Sequence, residues 1–377
     1  MYTRVQIAQF VESITKVTDQ RSLVNASINM ALERVSQYHD WPFYLDYKNG
    51  VIKTIALYNT GTIDLTNGST SVSGTGTTFT AAMVGRKIRV QNEMPYYRIA
   101  TYVSADGAGA ITLDNPYQGT TATGLSFEVF QDEYRLNADV DKQKMMRQIQ
   151  NSVPITDLTP KNFDTLYPTP QAYSDPMFSI IVGTDVATYS TGTIEVASSA
   201  LTTITGSASP AWTSVEGLGR GSKIRIGNNV YTVKSVDSAT QLTTYESMAV
   251  VSAGAAYVIT LDNIIAQLYL IPDTARLIYY RYFRKPQPLA NDYDLPDMPD
   301  AFHHILLDGC LSQVWREKGD LTNQTDAENR FVIGMERMKQ KLGSFAPDRI
   351  SKRKSCDGQR RRLDGLENPH YSRFYSS

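Results

Sequence analysis

The chain has 377 residues, enough for about two to three domains, and its 37 Lys plus Arg against 38 Asp plus Glu leave a net charge of −1. No global charge therefore draws it to nucleic acid or to an anionic membrane. Its cysteines are Cys310 and Cys356, too few for a disulfide framework, and no apolar stretch approaches the roughly 20 residues that span a bilayer.

Met1-Tyr2-Thr3-Arg4 leads directly into an amphipathic helix, without the apolar stretch of a signal peptide. That helix places Ile7, Phe10, Val11, Ile14 and Val17 on one face. Asp19 and Ser22 both offer N-cap oxygens to a second helix. Val24, Ile28, Ala31, Val35 and Tyr38 form its apolar face, as in an antiparallel hairpin partner, and Pro42 ends it.

From Val51 the period changes to short runs of Val, Ile, Thr and Tyr, broken by turn signals such as Asn67-Gly68 and Asp106-Gly107. One segment then occurs twice. Thr60-Gly61-Thr62-Ile63-Asp64-Leu65 returns as Thr191-Gly192-Thr193-Ile194-Glu195-Val196, and Gly85-Arg86-Lys87-Ile88-Arg89-Val90 returns as Gly221-Ser222-Lys223-Ile224-Arg225-Ile226. Tyr97-Arg98-Ile99 and Tyr231-Thr232-Val233 follow, and the copies close on 124–129 and 254–259. No acid, base or ligand set travels with both copies, so the repeat reads as a duplicated structural part. In each copy the alternation turns Ile88 and Val90, or Ile224 and Ile226, to a core, and the basic residues outward. Five short strands per copy and no covering helix predict a small closed barrel.

Gly61 and Gly192 are 131 residues apart and Lys87 and Lys223 are 136 apart, so the second copy carries five more residues. They lie within 207–219, which holds Pro210, Trp212 and Gly217. Trp212 is either an exposed anchor for a tail partner or a cover over the end of a small core.

Between the copies, Thr159-Pro160 starts a helix with Phe163 and Leu166 on its face, 177–182 reads as a strand, and 142–150 fits helix or strand. Strands at 266–271 and 276–283 are joined by a turn at Pro272-Asp273. Leu277, Tyr279 and Arg281 alternate with Ile278, Tyr280 and Tyr282, a pattern that predicts cover on both faces. Pro299 and Asp300 then open a helix bearing Phe302, Ile305, Leu306, Leu307, Cys310, Leu311, Val314 and Trp315. After Gly319-Asp320 a last helix carries Phe331, Met335, Met338 and Leu342. The stripe is wider than one neighbouring helix requires, so Phe302, Leu306, Leu307, Trp315, Phe331 and Met335 are the expected packing residues between subunits. The surplus of Tyr, 23 residues, suits interfaces and exposed sheet faces alike.

Residues 346–377 have no period. Arg349, Lys352, Arg353, Lys354, Arg360, Arg361 and Arg362 make this tail basic, and Tyr371, Phe374 and Tyr375 end it. Its interspersed acids favour docking on a protein over binding nucleic acid.

Candidate chemistry is sparse. The run Gly217-Leu218-Gly219-Arg220-Gly221 lacks the spacing of a dinucleotide fingerprint. His304 and Asp308 form an i, i+4 pair, but two ligands do not make a site. Asp292, Asp294, Asp297 and Asp300 lack the frame of a calcium loop and read as an approach to a helix cap. No catalytic residue, cofactor or metal is expected.

The fold class is α+β. A helical bundle comes from both chain ends (1–46 and 297–345), and a central β region from 47–58, 131–188 and 264–296. Two small barrel-like modules occupy 59–130 and 189–263, and an extended tail 346–377. This outline resembles the head-to-tail adaptors of tailed phages, most of all those of short-tailed phages. The stretch 266–342 carries the likeness, with Leu268-Tyr269-Leu270-Ile271-Pro272-Asp273, Ile278-Tyr279-Tyr280, Leu295-Pro296 through Pro299, and Gly319-Asp320. Phe163-Asp164, Tyr167-Pro168 and the run Gly74-Thr75-Gly76-Thr77-Thr78-Phe79 add to it.

The resemblance implies a non-enzymatic ring, commonly of twelve copies, beneath the portal at the head–tail junction of a virion assembled in the host cytoplasm. Its helices would surround the channel for double-stranded DNA, read without sequence specificity and away from any membrane. The tail would dock on the portal protein, and the modules would hold tail nozzle or fibre proteins. A receptor- or glycan-binding tail protein, gripping carbohydrate through its duplicated modules, is the alternative.

Overall fold

The structure is a computed structural model that describes residues 2–16, 20–91, 93, 95–103, 110–148, 154–168 and 171–342. The chain divides into two units, Met1–Leu45 with Lys285–Ser377, and Asp46–Arg284. Its helices are α1 (Arg4–Thr15), α2 (Arg21–Tyr38), α3 (Pro160–Leu166), α4 (His303–Glu317) and α5 (Leu321–Leu342).

In the first unit, α1 starts on a capping box: Gln6 N donates to Thr3 Oγ1 at 3.4 Å and Thr3 N donates to Gln6 Oε1 at 3.0 Å. Its apolar residues split between two faces. Ile7, Ala8 and Val11 point inward, whereas Phe10 and Ile14 are each 48% exposed. Only the seam at i, i+4 steps meets the neighbouring helices, and Phe10 instead packs edge-on against Tyr2. Val17 and Asp19 lie outside the described residues, and Ser22 sits inside α2, whose N-cap is Gln20.

The wide stripe of α4 has its explanation inside the chain. This helix packs against α1, α2 and α5, so three neighbours cover its circumference. Gly309 permits the closest approach, because a Cβ there would lie 2.7 Å from Phe331 and 2.9 Å from Ala31. His303 is also buried; its Nδ1 accepts from Tyr2 N at 3.1 Å and its Nε2 lies 3.0 Å from the Met298 carbonyl.

The second unit holds two sheets. One has seven strands in the order Ala122–Leu125, Thr62–Leu65, Ser71–Thr75, Ala110–Leu113, Tyr97–Val103, Lys87–Val90, Phe127–Phe130. The repeat reproduces that order strand for strand: Val251–Ala255, Thr193–Val196, Thr203–Ser207, Gln241–Thr244, Asn229–Ser238, Lys223–Ile226, Tyr257–Tyr269. In each copy the two ends of the path are neighbours in sequence, separated by Ser126 or Ala256 alone. Each copy also encloses its own core, around Ile63, Val72, Ile99 and Phe127 in the first and Ile194, Ile204, Val233 and Ile259 in the second.

Gly61 and Gly192 show why the repeated Thr-Gly-Thr matters. Their φ angles are +89° and +86°, and a Cβ would lie 2.5 Å from the Thr75 carbonyl oxygen or 2.6 Å from that of Ser207. Glycine alone combines that backbone with that approach.

The second copy is continuous with the central sheet. Tyr257–Tyr269 pairs at its start with Lys223–Ile226 and then, from Ile259 to Tyr269, with Phe178–Tyr189. The expected boundary at 263/264 therefore falls inside one strand. Pro154–Leu158, Val140–Gln148, Leu277–Arg284 and Val51–Lys53 extend the central sheet, and Glu133–Arg135 pairs with Tyr257–Tyr269. The ambiguous stretch at 142–150 is thus strand as far as Gln148, because its alternate residue Met146 fills the core beside Ile155 and Tyr280. Over 277–282 one face is covered: Ile278, Tyr280 and Tyr282 are buried, while Leu277, Tyr279 and Arg281 are exposed; the next residue, Phe283, is buried.

Candidate assembly surfaces

The repeated basic strand takes opposite roles in the two copies. In the first, Lys87 and Arg89 are 3% and 6% exposed, contrary to the outward orientation that alternation predicts. Lys87 Nζ lies 2.9 Å from Asp132 and 2.6 Å from Glu133 Oε1. Burial alone would lower the Lys87 ammonium, but Asp132 and Glu133 outweigh it and hold it above its ordinary range. Glu133 also receives Arg98, and Gln267 Nε2 donates to Asp132 at 2.9 Å. Arg89 Nε pairs with Glu128 at 2.8 Å, while its Nη2 donates to the Tyr173 hydroxyl at 2.7 Å and that hydroxyl donates to Glu128 at 2.6 Å. These ion pairs fasten the first copy to the central sheet and to the segment before Phe178–Tyr189.

In the second copy Lys223 and Arg225 are exposed. The register is the same in both copies, so the facing residue accounts for the difference: Arg89 sits across from Glu128 whereas Arg225 sits across from Val258. Glu128 and Glu133, replaced by Val258 and Asn263 at the matching positions of the second copy, are the signal in the sequence for this buried network, whereas Asp132 recurs as Asp262.

The extra residues of the second copy are spent internally. Glu216 accepts from Arg135 N at 2.8 Å and from Gln131 Nε2 at 3.0 Å, and Gly217 O accepts from Asn263 Nδ2 at 3.0 Å. Trp212 is 1% exposed, donates from Nε1 to the Tyr257 hydroxyl at 2.9 Å, and packs edge-on against that ring. Its indole is therefore core, with no face left for a tail partner or a sugar ring. The cause is local: Gly206 leaves room against which Pro210 and Trp212 close, the place that Gly74 and Phe79 fill in the first copy.

Of the helix residues expected between subunits, Phe302, Leu306, Phe331 and Met335 are buried within their own unit. Leu307 and Trp315 are half-buried. Cys310 is buried beside the Val24 carbonyl, and burial pushes its thiol up to about 12. The tail residues Arg349, Lys352, Arg353, Lys354, Arg360, Arg361, Arg362, Tyr371, Phe374 and Tyr375, with Cys356, lie outside the described residues.

Among the described residues no group of three or more His, Cys, Asp or Glu is placed to hold a metal ion, and no helix is long and apolar enough to cross a membrane. Residues 223–354 match the SU10 adaptor protein family. That span starts in the second copy's Lys223–Ile226 strand and runs through the last central strands, α4 and α5. It contains the 266–342 stretch that carries the resemblance, and so supports a phage head-to-tail adaptor, a structural component of the virion and not an enzyme class. No curated protein matches the chain.

Proposed function

We propose that this chain is a non-enzymatic head-to-tail adaptor that assembles as a ring beneath the portal and continues the DNA channel toward the tail. The observation that carries this reading is the SU10 adaptor match over 223–354, which takes in the central strands and both C-terminal helices. In this reading the basic tail from Arg349 to Tyr375 docks on the portal, and the half-buried Leu307 and Trp315 remain available for packing between copies. The two β modules hold nozzle or fibre proteins, and DNA passes without sequence-specific contact. The first module does so from a mount rigidified by buried ion pairs, the second from a strand shared with the central sheet.

Electron microscopy of the full chain mixed with purified portal tests the assembly, with a ring stacked on the portal as the expected result and dispersed monomers as the refuting one. Deleting residues 346–377 should abolish portal binding while the thermal melt of the remainder is unchanged. Undiminished portal binding by that variant would remove the docking role of the tail.

A further inference from the structure

The uncovered face of the central sheet has the composition of a protein-docking site. Cross-strand pairing places Val51, Tyr279 and Arg147 in one row, Lys53 beside Leu277, and Met145 beside Arg281. Directly paired residues share a face, and their inward neighbours Ile52, Met146, Ile278 and Tyr280 fill the core beneath. Val51, Met145, Leu277 and Tyr279 are 36–42% exposed, an apolar centre flanked by Lys53, Arg147 and Arg281. No carboxylate lies among these seven residues. An aromatic and Met centre with Arg around it is the signature of a protein interface, not of a phosphate track.

The same chain displays a segment of matching chemistry. Residues 291–297 form a knuckle tied to the start of α1: Val5 N donates to the Asp292 carbonyl at 2.9 Å, Arg4 N to that of Asp294 at 3.0 Å, and Arg4 Nη2 pairs with Asp292 at 2.7 Å. Asp294 Oδ2 accepts from Ala290 N and Asn291 N at 2.8 and 2.7 Å, closing the turn. At its tip Tyr293 is 84% exposed, the most exposed large apolar residue described, with Leu295 at 37%. The segment 291–300 carries Asp292, Asp294, Asp297 and Asp300 and no Lys or Arg. A pre-organised aromatic tip costs little entropy to bury and suits an anchor role.

We propose that the 291–297 knuckle of one copy seats on this sheet face of the next copy, with Tyr293 against Tyr279 and Leu277, and its carboxylates toward Arg147, Arg281 and Lys53. The inference rests on the ring reading and deepens it by naming both halves of the junction. The two surfaces differ, so the contact is heterologous and propagates head to tail, as a ring requires.

Two full-length variants test it: Tyr293→Ala, which disables the knuckle, and Arg147→Glu with Arg281→Glu, which disables the face. All three side chains are exposed, and unchanged circular dichroism melts would verify folding. Sedimentation velocity should show self-association weakened by about 30-fold or more in each variant, the effect of losing a hot spot. Mixed in equal amounts, the variants should form a dimer and stop, because one intact knuckle meets one intact face. Wild-type assembly by either variant, or a mixture that stays monomeric, would overturn the junction while leaving the ring in place. A wild-type chain that stays monomeric even with portal would overturn both.

Discussion

Lys87 Nζ lies 2.6 Å from Glu133 Oε1 in a site where the lysine is 3% exposed, whereas the equivalent lysine of the second copy, Lys223, is exposed and donates to Thr232 Oγ1 at 2.7 Å. One duplicated strand thus carries a buried electrostatic joint in one copy and a solvated basic face in the other. Removing one partner of a buried ion pair strands the remaining charges, a larger effect than the net worth of the pair.

Lys87→Met should therefore destabilise the protein by about 3–5 kcal/mol, since buried Asp132 loses its cation and Glu133 keeps only Arg98. Lys223→Met should stay within about 0.5 kcal/mol, as expected of an exposed substitution. Urea unfolding of the two variants measures the contrast, and equal effects would contradict the asymmetry of the joint.

The same joint sets an acid limit. Burial alone would raise the Glu133 carboxyl, but Lys87 and Arg98 outweigh it and hold it below its ordinary value of 4.5. A depressed folded-state value means that the contribution to stability is present above about pH 4.5 and is lost as pH falls through the folded-state value. Glu133→Gln should lower stability at pH 7 and flatten its decline below pH 4.5, read from unfolding midpoints across that window. A decline as steep as in wild type would place the acid sensitivity elsewhere.

Gly61 and Gly192 should rank above Gly68 in their intolerance of alanine. All three have positive φ, but a Cβ at Gly68 would meet nothing within 4 Å, whereas at Gly61 and Gly192 it would press on a carbonyl oxygen at 2.5 and 2.6 Å. Gly68→Ala carries only the left-handed strain of about 1–2 kcal/mol, and the other two add steric overlap. Denaturant midpoints in the order Gly68→Ala, then Gly61→Ala and Gly192→Ala, check this.

Cys310 reports on opening of the helical unit. In a Cys356→Ser background it is the remaining thiol, buried and pushed up to about 12, so at pH 8 on the order of one molecule in ten thousand carries the reactive thiolate. Labelling of the native protein should be slow and accelerate with urea in parallel with global unfolding. Rapid labelling without denaturant would show that α4 separates from α2 on its own.

Local pattern made much of this legible. The duplicated segment produces seven strands in the same order in each copy, because Gly61, Gly192 and the alternating Lys-Ile-Arg pattern encode turns and registers within a few residues. The likeness over 266–342 falls within the family match at 223–354 for the same reason. Long-range pairing was not legible. Whether Lys87 points to water depends on acids more than 40 residues later, and the width of the α4 stripe depends on helices about 280 residues earlier. The part of the stripe that α1 and α2 cover is hidden from the sequence because those residues are remote in it.

Trp212 shows that an aromatic in an inserted loop can belong to the core. An inserted loop bearing a tryptophan suggests a contact point, yet the ring fills the second copy's core beside Ile194, Ile204 and Tyr257. Trp212→Ala should lower stability by about 3–5 kcal/mol through lost burial and the cavity left behind. Trp212→Phe should recover most of that, because Phe79 occupies the corresponding site of the first copy. Glycan-array binding provides the contrasting readout. Carbohydrate binding by the wild type that Trp212→Phe abolishes without a stability loss would return the residue to a recognition role, whereas a stability loss with no sugar signal in either protein would leave it structural.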